Sequence, residues 1–151
     1  MSPSELKQFI TDKACTLGFS HVGVSSPSSI GNQSGKRLAQ WLDKGYYATM
    51  QWMKTRSAER SNIQTYYPDV KSVISLSMNY FTGYADKHSP IGKISNYAWG
   101  DDYHGIIKPR LNELLNSIQS RISDVKGLVC VDTSPLMEKA WAQNSGLGWI
   151  G

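Results

Sequence analysis

Apolar residues recur every three or four positions at Leu6, Phe9, Ile10, Ala14 and Leu17, a spacing that lines them along one stripe of a helix. Ser2 and Glu5 stand in the S-x-x-E relation of a capping box, Pro3 suits the first helical position and Gly18 supplies a stop. The period then shortens, and "HVGVS" (His21 to Ser25) reads as a short strand before the flexible loop "SPSSIGNQSG". Ser34 is placed to cap a second helix that runs through Leu38, Trp41 and Leu42 and ends at Gly45. A third, short helix is predicted from Thr49 to Lys54, with Met50 and Met53 on one side. "TYYPDV" breaks the pattern, and Lys71 to Phe81 is the clearest strand, β-branched or apolar at nearly every second position. After "TGYADKHSPIG" the segment "KISNYAW" reads as a further strand. Leu111, Leu114, Leu115, Ile118 and Ile122 mark a long amphipathic helix, which Pro109 either kinks or begins. A strand from Leu128 to Asp132 then leads through Ser134-Pro135 into a terminal helix. This alternation predicts an α/β (α+β) fold, a mixed sheet flanked by helices, as one domain over residues 1–151.

Composition narrows the class. With 151 residues, 40% of them hydrophobic and 11% aromatic, the chain can bury a core, which excludes disorder as its main state. No apolar run approaches the ~20 residues that span a bilayer, and "MSPSELKQFITDK" has neither a basic nor an apolar leader region, so a cytoplasmic protein is expected. Cys15 and Cys130 have neither the number nor the spacing of a zinc, iron–sulfur or disulfide framework and read as buried small apolar side chains. A net charge of +4 suits a polyanionic partner, although many basic enzymes have none.

The candidate chemistry centres on two aspartates. No phosphate-binding loop is present. Gly146, Gly148 and Gly151 match G-x-G-x-x-G in letters, but they follow a helix where a dinucleotide fingerprint follows a strand. Asp132 ends an apolar strand, where open α/β sheets place ligands, and a desolvated carboxyl group there can act as a general acid. From position alone the better reading is a cap for the helix after Ser134-Pro135. Asp102 lies in "YAWGDDYHG", where Tyr97, Trp99, Asp101, Asp102, Tyr103 and His104 gather acids, a base and rings around Gly100. The same turn also reads as a capped helix start. His21 and His88 are isolated, and no spacing supports a metal.

The segments "YAWGDDYHGIIKPRL", "VDTSPLMEKAWAQNSGLGWIG" and "ERSNIQTYYPDVKSVISLSMNYF" together resemble the N-terminal region of the epoxyqueuosine reductases, over essentially the whole chain. The resemblance implies a nitroreductase-like or cobalamin-processing-like domain and the reduction of epoxyqueuosine to queuosine in tRNA. It implies cobalamin, with electrons from 4Fe–4S clusters whose cysteine ligands these residues lack, an electron donor, and a monomeric parent protein. The terminal "GLGWIG" continues in that family into further structure, so a chain cut inside a motif, inactive alone, is expected. Asp132 matches the family's proton donor. Arg60, Asn62 and Ser95 match stretches beside the corrin or the substrate, and Asp102, Tyr103 and His104 match a motif that shapes the pocket. Lys139 is placed to meet tRNA phosphate, and Lys54, Arg56, Lys93, Lys108 and Arg110 extend a basic surface; solvated helix faces explain these cations equally well. Asp101 stands where the family commonly has a basic residue, which weighs against this turn binding RNA backbone. Two alternatives remain open: a noncatalytic corrinoid- or tRNA-binding module, and a flavin-dependent reductase domain.

Overall fold

In a computed structural model, residues 1–28, 30, 33–81, 83, 92 and 94–150 are described. The elements run α1 (Pro3–Thr16), β1 (His21–Ser25), α2 (Gln33–Asp43), α3 (Gln51–Thr55), α4 (Ser57–Ser61), α5 (Ile63–Tyr66), β2 (Val73–Ser77), a 3-10 turn (Asn96–Ala98), α6 (Tyr103–Gln119) and α7 (Glu138–Asn144). They fall into two compact units, one of Met1–Ser20 with Met78–Val131, the other of His21–Ser77 with Asp132 onward.

In the first unit α1 packs on α6. The capping box forms as its spacing requires: the Glu5 N–H donates to Ser2 Oγ at 3.2 Å and the Ser2 N–H to Glu5 Oε2 at 2.6 Å. Ile10 and Ala14 of the stripe are buried, as are Leu114 and Ile118 of α6. Cys15 lies one position past that stripe and is exposed, contrary to the burial expected of it. At the end of α1 the Phe19 N–H reaches the Ala14 carbonyl and the Gly18 N–H the Cys15 carbonyl, the Schellman pattern, with Gly18 at φ +87°. Arg110 of α6 donates from Nη1 to the Leu17 carbonyl at 3.1 Å, so this cation serves the fold rather than an open phosphate surface. Pro109 neither begins nor stops α6, which starts six residues earlier; it leaves the Gly105 carbonyl without its in-helix donor.

In the second unit β1 and β2 pair antiparallel, with His21 opposite Ser77 and Ser25 opposite Val73. The mixed helix-and-sheet class holds, and among the described residues the sheet has these two strands. α7 packs on both strands, and its C-terminal turn comes so close to Gly23 that an added Cβ would meet the Ser145 carbonyl oxygen at 2.5 Å. α2, α4 and α5 form a second cluster, with Leu38 and Ile63 buried. The α2 helix begins at Gln33, so Ser34 lies inside its first turn rather than capping it, and the third helix runs from Gln51. Where "TYYPDV" broke the pattern, Asn62 caps the single turn of α5 just before it.

Among the described residues, two expected strands are absent. The Trp99 indole N–H donates to the Ile94 carbonyl at 2.8 Å, folding the segment into a turn, whereas a strand would separate these residues by about 16 Å. Residues 128–132 are irregular, with no ladder partner among the described residues. The terminal helix starts at Glu138, not after Ser134-Pro135. Lys93, His88 and Gly151 lie outside the described residues.

Candidate functional site

Asp102 is the N-cap of α6, and its Oδ1 accepts from the His104 backbone N–H at 2.9 Å and lies 2.8 Å from His104 Nδ1. The backbone bond, then the imidazole, holds the Asp102 carboxyl below its ordinary value of 3.8. Tyr103 stacks on His104 with ring centroids 4.3 Å apart. His104 Nε2 is buried without a hydrogen-bond partner among the described residues, so the imidazole is oriented by Asp102 and carries one unused nitrogen. The three motif residues are thus brought together at the capped start of α6. Ser95 belongs to the same unit, exposed, as the N-cap of the 3-10 turn, with no side-chain cap bond.

Asp132 sits in the second unit, where its backbone takes the left-handed conformation at φ +50°. Aspartate tolerates that region better than most residues because its short polar side chain bonds locally. Its N–H donates to Glu138 Oε1 at 2.8 Å, so the first residue of α7 reaches back to fix the turn. α7 begins at Glu138, with Met137 at the N-cap position making no side-chain cap bond. Asp132 is exposed, so the desolvation expected of a proton donor is not supplied by the described residues of this unit. Lys139 follows Glu138 on α7 and is exposed. Glu138 is the acidic residue of the same V-D-T-S-P-L-M-E-K motif, six residues after Asp132, and the sequence gives it no role of its own.

Arg60 lies on α4 with its guanidinium 5.0 Å from the Trp52 ring centroid, and its Nε is buried without a hydrogen-bond partner among the described residues. Burial lowers its pKa, the Arg56 charge adds to that effect and Glu59 opposes it. Asn62 spends its side-chain oxygen on the Gln64 N–H at 2.9 Å, as the cap of α5. A cavity of about 300 Å³ lies nearby, lined by residues of α2, α3 and α4 that include Asp43, Lys54 and Ser61. None of Arg60, Asn62 or Asp132 lines it.

Residues 60–133 match the family described as "Epoxyqueuosine reductase QueG, DUF1730". An epoxyqueuosine reductase of Synechocystis sp. is 39% identical over 132 residues, which are 86% of this chain and 45% of that one. This chain is a relative of the epoxyqueuosine reductases. The resemblance carried by its motifs is borne out, and the matched segment contains Arg60, Asn62, Ser95, Asp102, Tyr103, His104 and Asp132 but not Lys54, Arg56, Glu138 or Lys139. The chain spans about 45% of the length of the curated relatives it matches. Among solved structures, epoxyqueuosine reductase from Streptococcus thermophilus has the same fold at a TM-score of 0.78 and 23% identity, covering 96% of this chain and 40% of that one. An epoxyqueuosine reductase with a tRNA-TYR epoxyqueuosine-modified tRNA stem loop superposes at a TM-score of 0.77 and 19% identity, over 97% of this chain and 39% of that one. No helix among the described residues is long and apolar enough to cross a membrane.

Proposed function

We propose that these residues form one part of a cytoplasmic tRNA epoxyqueuosine reductase, an oxidoreductase that converts epoxyqueuosine in tRNA to queuosine. The observation that carries this is the 39% identity to an epoxyqueuosine reductase over 86% of the chain. Opening an epoxide to an alkene takes two electrons and two protons and releases the oxygen as water. The oxygen is a poor leaving group until an acid protonates it, and Asp132 is the donor assigned here, held in its turn by Glu138. The Asp102–His104 pair shapes the substrate pocket and orients one imidazole nitrogen.

Cobalamin and 4Fe–4S clusters are the cofactors of this reading. The described residues do not by themselves fit a corrin: Asp132 is exposed, Asn62 is committed to a helix cap, and the cavity of about 300 Å³ is lined by neither. The remaining length of the longer protein is assigned the electron path and the cover over Asp132.

The test is a chimera in which these 151 residues replace their counterpart in the Synechocystis relative. It is expected to convert epoxyqueuosine to queuosine in tRNA, and Asp132→Asn in it to lose about 10²–10⁴ of the rate while retaining cobalamin. Wild-type turnover in that variant removes Asp132 as the acid.

A further inference from the structure

Asp132 and Glu138 close a loop that is anchored in its middle. Pro135 is fully buried and the Leu136 N–H donates to the Ser134 carbonyl at 2.8 Å, so residues 133–137 keep a fixed bend. The bond from the Asp132 N–H to Glu138 Oε1 at 2.8 Å caps no helix, because this amide lies six residues before α7 and Met137 holds the cap position. It fixes the backbone of Asp132 instead. The N–H and Cα–Cβ bonds share the N–Cα axis, so a held amide together with φ +50° sets the direction in which the carboxyl leaves the chain. The helix that presents Glu138 is held at its other end. Trp141 is buried, α7 packs on both β1 and β2, and the turn after it lies against Gly23 with no room for a Cβ. The Ser145 N–H returns to the Trp141 carbonyl at 3.0 Å and the Leu147 N–H to the Ala142 carbonyl at 3.0 Å, which ties that turn to the helix. A hydrogen-bonded helix of seven residues is a stiff rod of about 10 Å, so a displacement at Gly23 travels to Glu138.

We infer that α7 positions the Asp132 carboxyl, with Glu138 as the positioning residue and the Gly23 contact as the stop that sets where the helix lies. All of these residues belong to the second unit, so the device is complete within it. The inference rests on the proposed function for the acid role of Asp132. A general acid must meet its oxygen within hydrogen-bond reach, and a misplacement of about 1 Å can cost about a hundredfold in rate. Asp132 is exposed, so its aim comes from its backbone rather than from packing around the side chain. A merely structural Glu138 would change stability and leave the rate of each folded molecule alone. A role through the charge of Glu138 is lost in Glu138→Gln, whereas a role through its acceptor oxygen survives that change.

Two measurements test it. In the 151-residue chain, amide hydrogen exchange at Asp132 should speed up by about five- to tenfold in Glu138→Ala and stay near wild type in Glu138→Gln. Gly23→Ala, which displaces the helix without touching the loop, should speed it as well, while Gly148→Ala, with open space around it, should not. In the chimera, Glu138→Ala should lower kcat per folded molecule by about ten- to a hundredfold with KM unchanged, and Glu138→Gln should recover most of that loss. Gly23→Ala should lower kcat in the same way, and Gly148→Ala should leave it unchanged. Equal losses of kcat in the two Glu138 variants, a change in KM alone, unaltered Asp132 exchange in Glu138→Ala, or no effect of Gly23→Ala on either measurement overturns the inference. Turnover by the chimera with wild-type kcat in Glu138→Ala removes the positioning role alone. A chimera without turnover removes the reductase reading, and Asp132 exchange that still answers to Glu138 and Gly23 then leaves the positioning of this carboxyl by α7 standing.

Discussion

Asp132 shows how much a single residue's role depends on its backbone. Its left-handed φ of +50° favours a short polar side chain, so Asp132→Asn should fold like the parent, whereas Asp132→Val should lose about 1–2 kcal/mol in urea denaturation. Glu138 holds the same turn through one hydrogen bond to the Asp132 N–H. Removing that acceptor in Glu138→Ala should cost about 1 kcal/mol, and Glu138→Gln, which keeps a carbonyl oxygen in reach, should recover most of it. Equal stability of the two Glu138 variants would show that the bond does not matter. The motif put Asp132 and Glu138 in view as residue types, but the left-handed turn that joins them was not legible, because nothing in the letters V-D-T-S-P demands it. Asp102 was more transparent, since an aspartate two residues before a histidine at a helix start has a ready local partner in that histidine's N–H.

At the scale of elements, helix ends were legible and strands only partly so. Gly18 and Gly45 stop their helices as their positions predict, and Gly146, at φ +82°, does the same for α7 through the Leu147 and Gly146 N–H groups. Gly146 of the terminal G-x-G is therefore a helix stop. Gly18→Ala should destabilise by about 1–2 kcal/mol, both from the positive φ and because the new Cβ would lie 2.7 Å from Arg110 Nη1, which holds the Leu17 carbonyl. Gly23→Ala should cost about 1–3 kcal/mol, because the Ser145 carbonyl in its way is backbone and cannot swing aside. Gly148→Ala, with open space around it, serves as the neutral control. A thermal shift for Gly23→Ala no larger than that of Gly148→Ala would mean that α7 does not press on β1 as described.

For the whole molecule, three carboxylates with lowered pKa values set a window of acid sensitivity. Glu5, Glu59 and Asp102 all have lowered pKa values: Glu5 chiefly through the Ser2 N–H, Glu59 through its own backbone N–H, and Asp102 through the His104 N–H. A carboxylate whose folded-state pKa is depressed stabilises the fold fully above its ordinary value, here 3.8 to 4.5, and loses that contribution as pH falls through the folded-state values. Urea midpoints should therefore drop below about pH 4.5, and Glu5→Gln/Asp102→Asn should flatten that limb; an unchanged limb would place the acid sensitivity elsewhere. Sequence alone determined the capping box, the helix stops, the stripes of α1 and α6, the strands β1 and β2 and the family motifs, because these depend on residues a few positions apart. Tertiary structure decided that 94–99 and 128–132 are not strands, that Arg110 braces the end of α1, and that Asp132 is exposed. A strand exists only where a partner completes its hydrogen bonds, and exposure only where no other part of the chain comes to cover a side chain.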